Sequence, residues 1–139
     1  MFKVSKEFSF DMAHILDGHD GKCQNLHGHT YKLQVEVSGD LVPDGAKKGM
    51  VVDFTDVKTV VKEAILDPMD HAFIYDTTSE RECKIAALLN ELNSKTFGIP
   101  VRTTAEEMAR FMFNRLKDKL PISAIRLWET PTSFCEYRE

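Results

Sequence analysis

The chain has 139 residues, 42% of them hydrophobic and 29% charged, with a formal net charge of −4. That length can bury one core and suits one domain spanning residues 1–139. The acidic balance argues against a general nucleic-acid or anionic-membrane surface, no apolar run approaches the ~18 residues of a membrane span, and no signal-peptide pattern opens the chain.

Three cysteines, Cys23, Cys83 and Cys135, leave at least one unpaired in any scheme. Without a secretion signal, the expected home is the reducing cytoplasm, where a cysteine beside histidines reads as metal binding or catalysis.

Phe2 to His14 alternates apolar and polar, the period of a half-buried strand. Phe8, Phe10, Met12 and His14 share its face, and Lys6 interrupts it. Ile15 to Leu26 is a polar loop holding His19, expected in solvent, and Cys23. His29 to Ser38 reads as a second strand, and because residues two apart on a strand face the same side, His27 and His29 point together. A turn-rich connection over 39–49 leads to a short third strand, Met50 to Asp53.

Phe54 to Leu66 predicts a helix with Val57, Val60, Val61, Ala64 and Ile65 on one stripe, capped by Asp53 or Thr55 and ended by Asp67-Pro68. Met69 to Tyr75 reads as a turn into a short strand, Glu80 to Leu92 as a helix, and Asn93 to Arg102 as a loop with Gly98 and Pro100. Thr103-x-x-Glu106 has the form of a capping box opening a helix to about Lys119, with Ala105, Met108, Ala109, Met112 and Leu116 inward and Pro121 as the stop. Ser123 to Thr130 and Ser133 to Arg138 form a final hairpin around Pro131. Strands early and late with two main helices between them give an α+β fold, a four-stranded antiparallel sheet with the helices on one face.

If the first two strands pair as an antiparallel hairpin, His14 lands beside His27 and His29. Three neutral imidazoles with one position open make the catalytic kind of zinc site, while a closed structural site with Cys23 as fourth ligand fits the same spacing. In Asp70-His71 a carboxylate can orient an imidazole, but sequence neighbours reach each other only through a turn. Glu129 continues the apolar face of Ile125 and Leu127, a costly place for a carboxylate unless it finds a donor. A salt bridge at the sheet end would serve as well as a ligand.

Four blocks stand in order: Phe10-Asp11-Met12-Ala13-His14, Cys23-x3-His27-Gly28-His29-x-Tyr31, Asp70-His71, and Glu129-Thr130. From about residue 4 to the C-terminus the chain resembles the 6-pyruvoyltetrahydropterin synthase / 6-carboxytetrahydropterin synthase family. The three residues between Cys23 and His27 and the ending Glu129-Thr130-x-Thr132-x-x-Cys135-x-Tyr137-Arg138 are similar to the bacterial carboxy enzymes of the queuosine pathway. The stretch Asp76 to Arg102 is longer than in compact members, and Val101-Arg102-Thr103 stands where the family usually has Pro.

The resemblance implies the tunnelling fold, in which subunits join their sheets into a barrel. It implies zinc on His14, His27 and His29, Cys23 as catalytic base, and Asp70 with His71 as the relay opposite it. A cysteine works so near neutral pH only if a metal or cation stabilises its thiolate, and zinc and His71 are the candidates. Glu129 would anchor the guanidine-like edge of a pterin ring, with Thr103, Thr104 and Glu106 lining its pocket. The implied reaction converts 7,8-dihydroneopterin triphosphate to 6-carboxy-5,6,7,8-tetrahydropterin, acetaldehyde and triphosphate without a redox cofactor. The alternatives are triphosphate elimination by a 6-pyruvoyltetrahydropterin synthase and a zinc-containing pterin-binding module without turnover. Lys22 and Arg138 are the candidates for holding phosphates. Edge strands at Phe2 and Ser133 point to a homo-oligomer, expected as a hexamer with shared sites, Glu129 coming from the same subunit as the histidines or from the next.

Overall fold

A computed structural model describes all 139 residues. β1 (Phe2–His14) and β2 (His27–Gly39) pair antiparallel in unbroken register, from Phe2 opposite Gly39 to His14 opposite His27. The alternation in sequence becomes burial: Phe10, Met12 and His14 face the core with Tyr31, Leu33, Val35 and Val37, while Ser9, Asp11, Gly28 and Thr30 face out and are exposed.

β5 (Ile122–Thr130) adds to β2 and β6 (Ser133–Tyr137) to β5, both antiparallel. These are the four antiparallel strands expected. The sheet is wider, with six strands in the order β4-β3-β1-β2-β5-β6, because β3 (Ala72–Asp76) and β4 (Thr96–Ile99) add in parallel beyond β1. β4 lies where a loop was expected. Its Gly98 is not a turn glycine: it sits opposite Tyr75, and a Cβ there would come within 2.9 Å of the Tyr75 ring and 2.6 Å of Thr77. Met50 to Asp53 is not a strand. Val42 N–H donates to Met50 O at 2.8 Å and Gly49 N–H to Val42 O at 2.9 Å, so the connection closes on itself instead of offering a ladder.

α1 (Phe54–Val61) starts at Asp53, whose carboxylate accepts from Thr55 N–H at 2.9 Å. Pro68 does not end it. The chain runs on through a π-helical turn (Lys62–Leu66) and a last turn (Asp67–Met69). A proline has no N–H for the carbonyl four residues back, here Ala64 O, and the wider turn avoids the ring's clash with it. Arg115 Nε supplies a donor to Ala64 O at 2.9 Å.

α2 (Glu80–Glu91) is capped by Ser79. α3 (Ala105–Leu116) is capped by Thr104, which accepts from Glu107 N–H at 3.3 Å. The cap is thus one residue later than the Thr103-x-x-Glu106 pattern suggested, and Thr103 is occupied elsewhere. α1 and α3 cover one face of the sheet, packing Val57, Val61, Met108, Met112 and Leu116 against Tyr31, Leu33, Val35, Ile125 and Leu127. α2 lies at the β3 edge of the other face, where Ala86 meets Ile15 and Phe73. The rest of that face is bare along β1 and β2. No helix is long and apolar enough to cross a membrane.

Candidate functional site

The hairpin register places His14 directly opposite His27, with His29 two residues on along the same face. Ring centroids are 4.6 Å apart for His14 and His27, 5.2 Å for His14 and His29, and 4.9 Å for His27 and His29. Each ring offers a ligand nitrogen within 4.8 Å of the other two. Gly28 lets the strands close up here, since a Cβ on it would press within 3.3 Å of Met12 O.

The protonation of two rings follows from their partners. His14 Nδ1 is 2.9 Å from Thr103 O, and His27 Nδ1 is 2.7 Å from Asn25 O. A carbonyl only accepts, so both Nδ1 atoms carry hydrogen and both Nε2 atoms present a lone pair. Thr103 Oγ1 stands 3.2 Å from the same His14 nitrogen and donates to Ile15 O at 3.3 Å. The Nε2 atoms of His14, His27 and His29 are all buried without a hydrogen-bond partner in the protein. Burial holds the His14 ring down to about 4 and lowers His29 as well, with the neighbouring imidazoles adding to both. Three converging, buried Nε2 atoms, two of them fixed as acceptors, are what a divalent metal with imidazole preference requires, and their Nδ1 partners are its outer support. The three residues could hold a metal ion.

Cys23 sits half-buried in a short 3-10 turn (Lys22–Gln24), tied by Leu16 N–H to Cys23 O at 2.8 Å. Its sulfur is not part of the close ligand group, which is formed by the three histidines. His19, expected in solvent, is only 34% exposed and accepts from Gly21 N–H at 2.8 Å, so it shapes the loop.

Beside the histidines, Glu129 Oε2 is 3.8 Å from His29 Nε2. Glu129 thus stands with the histidines of its own chain. It opens onto a cleft of about 230 Å³ that Thr104, Glu106 and Cys135 also line. Burial and then the Glu106 charge raise the Glu129 carboxyl, while His27 opposes them. Burial, with Glu106 and Glu129, pushes the Cys135 thiol up to about 11, so it remains protonated. Tyr31 was singled out only as part of a motif. Its hydroxyl is buried without a partner, its ring edge-on to His29 at 5.5 Å, and burial with Glu129 and Cys23 raises its pKa, keeping the phenol protonated. The strand period signalled that burial; nothing in the period told that the hydroxyl would be orphaned.

Asp70 and His71 do lie in the turn that their hydrogen bond requires. Asp70 is extended, His71 is left-handed at φ 63°, and Asp70 Oδ1 accepts from His71 Nδ1 at 2.8 Å. Asp11 N–H donates to the same oxygen at 3.0 Å, and His71 N–H to Asp11 O at 2.7 Å. Burial pushes the Asp70 carboxyl up, but the Asp11 N–H, His71 and Lys95 outweigh it and hold it below its ordinary value. The pair faces Asp11 and Thr30, on the bare side of the hairpin, and His71 is 75% exposed. Within one chain, therefore, the hairpin separates Asp70 and His71 from the three histidines. Lys22 is exposed on its turn. Arg138 is spoken for, by Glu136 at 2.9 Å and Glu36 at 3.1 Å.

The 6-pyruvoyl tetrahydropterin synthase family profile matches residues 3–139. A Haemophilus influenzae protein named 6-carboxy-5,6,7,8-tetrahydropterin synthase is 77% identical over the full length of both chains. An Aquifex aeolicus protein of the same name is 34% identical over 85% of this chain and 76% of its own. The structure of Caenorhabditis elegans 6-pyruvoyl tetrahydropterin synthase superposes with a TM-score of 0.73 at 25% identity, covering 99% of this chain and 95% of that one. With a match running almost from end to end, the chain belongs to the 6-pyruvoyl tetrahydropterin synthase family.

Proposed function

We infer that this protein is a zinc-dependent 6-carboxy-5,6,7,8-tetrahydropterin synthase. It would convert 7,8-dihydroneopterin triphosphate and water to 6-carboxytetrahydropterin, acetaldehyde and triphosphate on the route to queuosine. The observation that carries this reading is the convergence of three buried, unpartnered Nε2 atoms beside a cleft lined by two carboxylates. The 77% identical relative's name supports the carboxy product over the pyruvoyl one.

His14, His27 and His29 would hold Zn²⁺, which supplies Lewis acidity to the hydroxyls of the substrate side chain. Glu129, with Glu106 across the cleft and Thr104 at its wall, takes the N–H edge of the pterin ring. The burial that raises the Glu129 carboxyl makes a bidentate donor especially favourable there. Cys23, tethered by its turn next to the histidine hairpin, moves a proton on one side of the substrate. Asp70 holds the His71 ring by its Nδ1–H, leaving Nε2 to exchange a proton on the other side.

His71 stands on the bare face of its own chain, so it completes a site only if subunits assemble and bring that face to a neighbour's histidines. We read this as a shared site in a cytoplasmic homo-oligomer, with a hexamer as the expected size, built from one domain per chain. The free outer edges of β4 and β6 are the places for sheets to join.

The test is product analysis with zinc-loaded protein and 7,8-dihydroneopterin triphosphate. Stoichiometric acetaldehyde with 6-carboxytetrahydropterin is the expected result. A 6-pyruvoyl product without acetaldehyde would replace this reading with triphosphate elimination.

A further inference from the structure

The segment after β3 lies outside the four sequence blocks described above. Lys95 closes the α2–β4 connection, immediately before Thr96, where β4 begins. Its ammonium donates to Asp67 O at 2.6 Å and to Asp70 O at 2.7 Å. These carbonyls belong to the last turn that leads out of α1 and to the residue that ends it. Such terminal carbonyls lack helical partners and form the negative end of the helix dipole. The Lys95 backbone takes part as well, since its carbonyl accepts from Phe73 N–H at 3.0 Å.

The turn needs such a hold. Asp70 is extended and His71 is left-handed, an uncommon conformation for a residue with a side chain. The Asp70 carboxylate is fixed by Asp11 N–H and by His71, and the His71 N–H by Asp11 O. The Asp70 carbonyl is the remaining handle on the peptide that joins the two residues, and Lys95 grips it.

We propose that Lys95 is a positioning residue: by fixing the Asp70–His71 peptide from the α2–β4 segment, it sets the direction in which His71 presents Nε2. This rests on the reading of Asp70 and His71 as a proton-transfer pair. The α2–β4 segment is then a brace that carries a cation to the turn. The Lys95 charge also contributes to keeping Asp70 ionised.

The experiment compares Lys95→Met, Lys95→Arg and His71→Ala in zinc-loaded, assembled protein with 7,8-dihydroneopterin triphosphate. Lys95→Met should lower kcat about tenfold to a hundredfold, the scale of a displaced catalytic group, with KM, zinc content and assembly unchanged. Lys95→Arg should recover most of the loss. In ¹⁵N-histidine-labelled protein, the hydrogen-bonded Nδ1 proton of His71, assigned by its disappearance in His71→Ala, should broaden or move upfield in Lys95→Met. Should Lys95→Met fail to assemble, Lys95→Gln, which keeps an uncharged NH2 group on a shorter side chain, is read by the same criteria. A kcat within twofold of wild type together with an unmoved His71 proton overturns the proposal. If His71→Ala itself keeps full activity, the proton-transfer reading falls instead, and the two failures are distinct.

Discussion

The backbone carbonyl of Thr103 stands 2.9 Å from His14 Nδ1, joining the entry of α3 to the end of β1. Its hydroxyl, at 3.2 Å from the same nitrogen, is the removable half of that support. Thr103→Val should keep the fold and the His14 tautomer, because the carbonyl remains. It should weaken zinc binding about tenfold, the lower end of what outer-shell changes cost. Competition against a chromophoric chelator measures this; unchanged affinity would mean that the carbonyl alone orients the ring.

Metal-stripped protein should be acid-sensitive over a defined window. Burial lowers the His14 ring from 6.5 to about 4. Between those values the unfolded chain binds a proton that the folded chain refuses, so stability is full above 6.5 and is lost as pH falls towards 4. The loss from this group amounts to about 3 kcal/mol, and His29, also lowered, acts in the same direction. Urea denaturation of chelator-treated protein through that window reads it out. Flat stability across the window would show that the rings are not buried as neutral groups.

The proposed sharing of the site between subunits can be tested with mixtures. Cys23→Ala and His71→Ala should each be inactive alone. If a site draws Cys23 from one chain and His71 from a neighbour, co-assembled equal amounts regain about one quarter of wild-type activity, because one site in four draws both intact groups. Activity of the mixture that stays at the level of the parents would place both groups in one chain.

The bond from Arg115 Nε to Ala64 O is open to a stability test. Arg115→Met keeps much of the packing but leaves that carbonyl without the donor that Pro68 also cannot give. The expected loss is about 2 kcal/mol, and it should fall mainly on the end of α1 that leads to Asp70. Chemical denaturation gives the total, and hydrogen exchange at residues 66 to 70 gives its location. A loss below about 0.5 kcal/mol would show that water serves Ala64 O equally well.

The sequence made the strand period, the histidine face and the apolar stripes of α1 and α3 legible, because each is a local repeat of polarity. Where it misled, a distant partner decided the outcome. Thr96 to Ile99 is too short and too glycine-marked to read as a strand, yet β3 recruits it, with Tyr75 lying over Gly98. Pro68 reads as a stop, but a π turn and Arg115 carry the chain through it. The cap moved from Thr103 to Thr104 because His14 holds Thr103. At the site, residue types were legible and sides were not: the faces of Asp70 and His71 depend on a left-handed residue that spacing does not reveal.

All three imidazoles belong to one hairpin, and the loop Ile15 to Leu26 closes it at the end where they meet. The proposed metal site therefore needs little chain: a nascent polypeptide that has emerged through β2 already carries all three histidines. Local pairing of this kind forms early, whereas β5 must return from far along the chain to complete the sheet. A metal captured at that stage would pin the hairpin at its turn end and protect its register, since a slip of one residue would swing the histidines to the opposite face. Supply of the proposed metal would then govern how often newly made chains reach the native sheet, and starvation would appear as lost protein before it appeared as inactive enzyme.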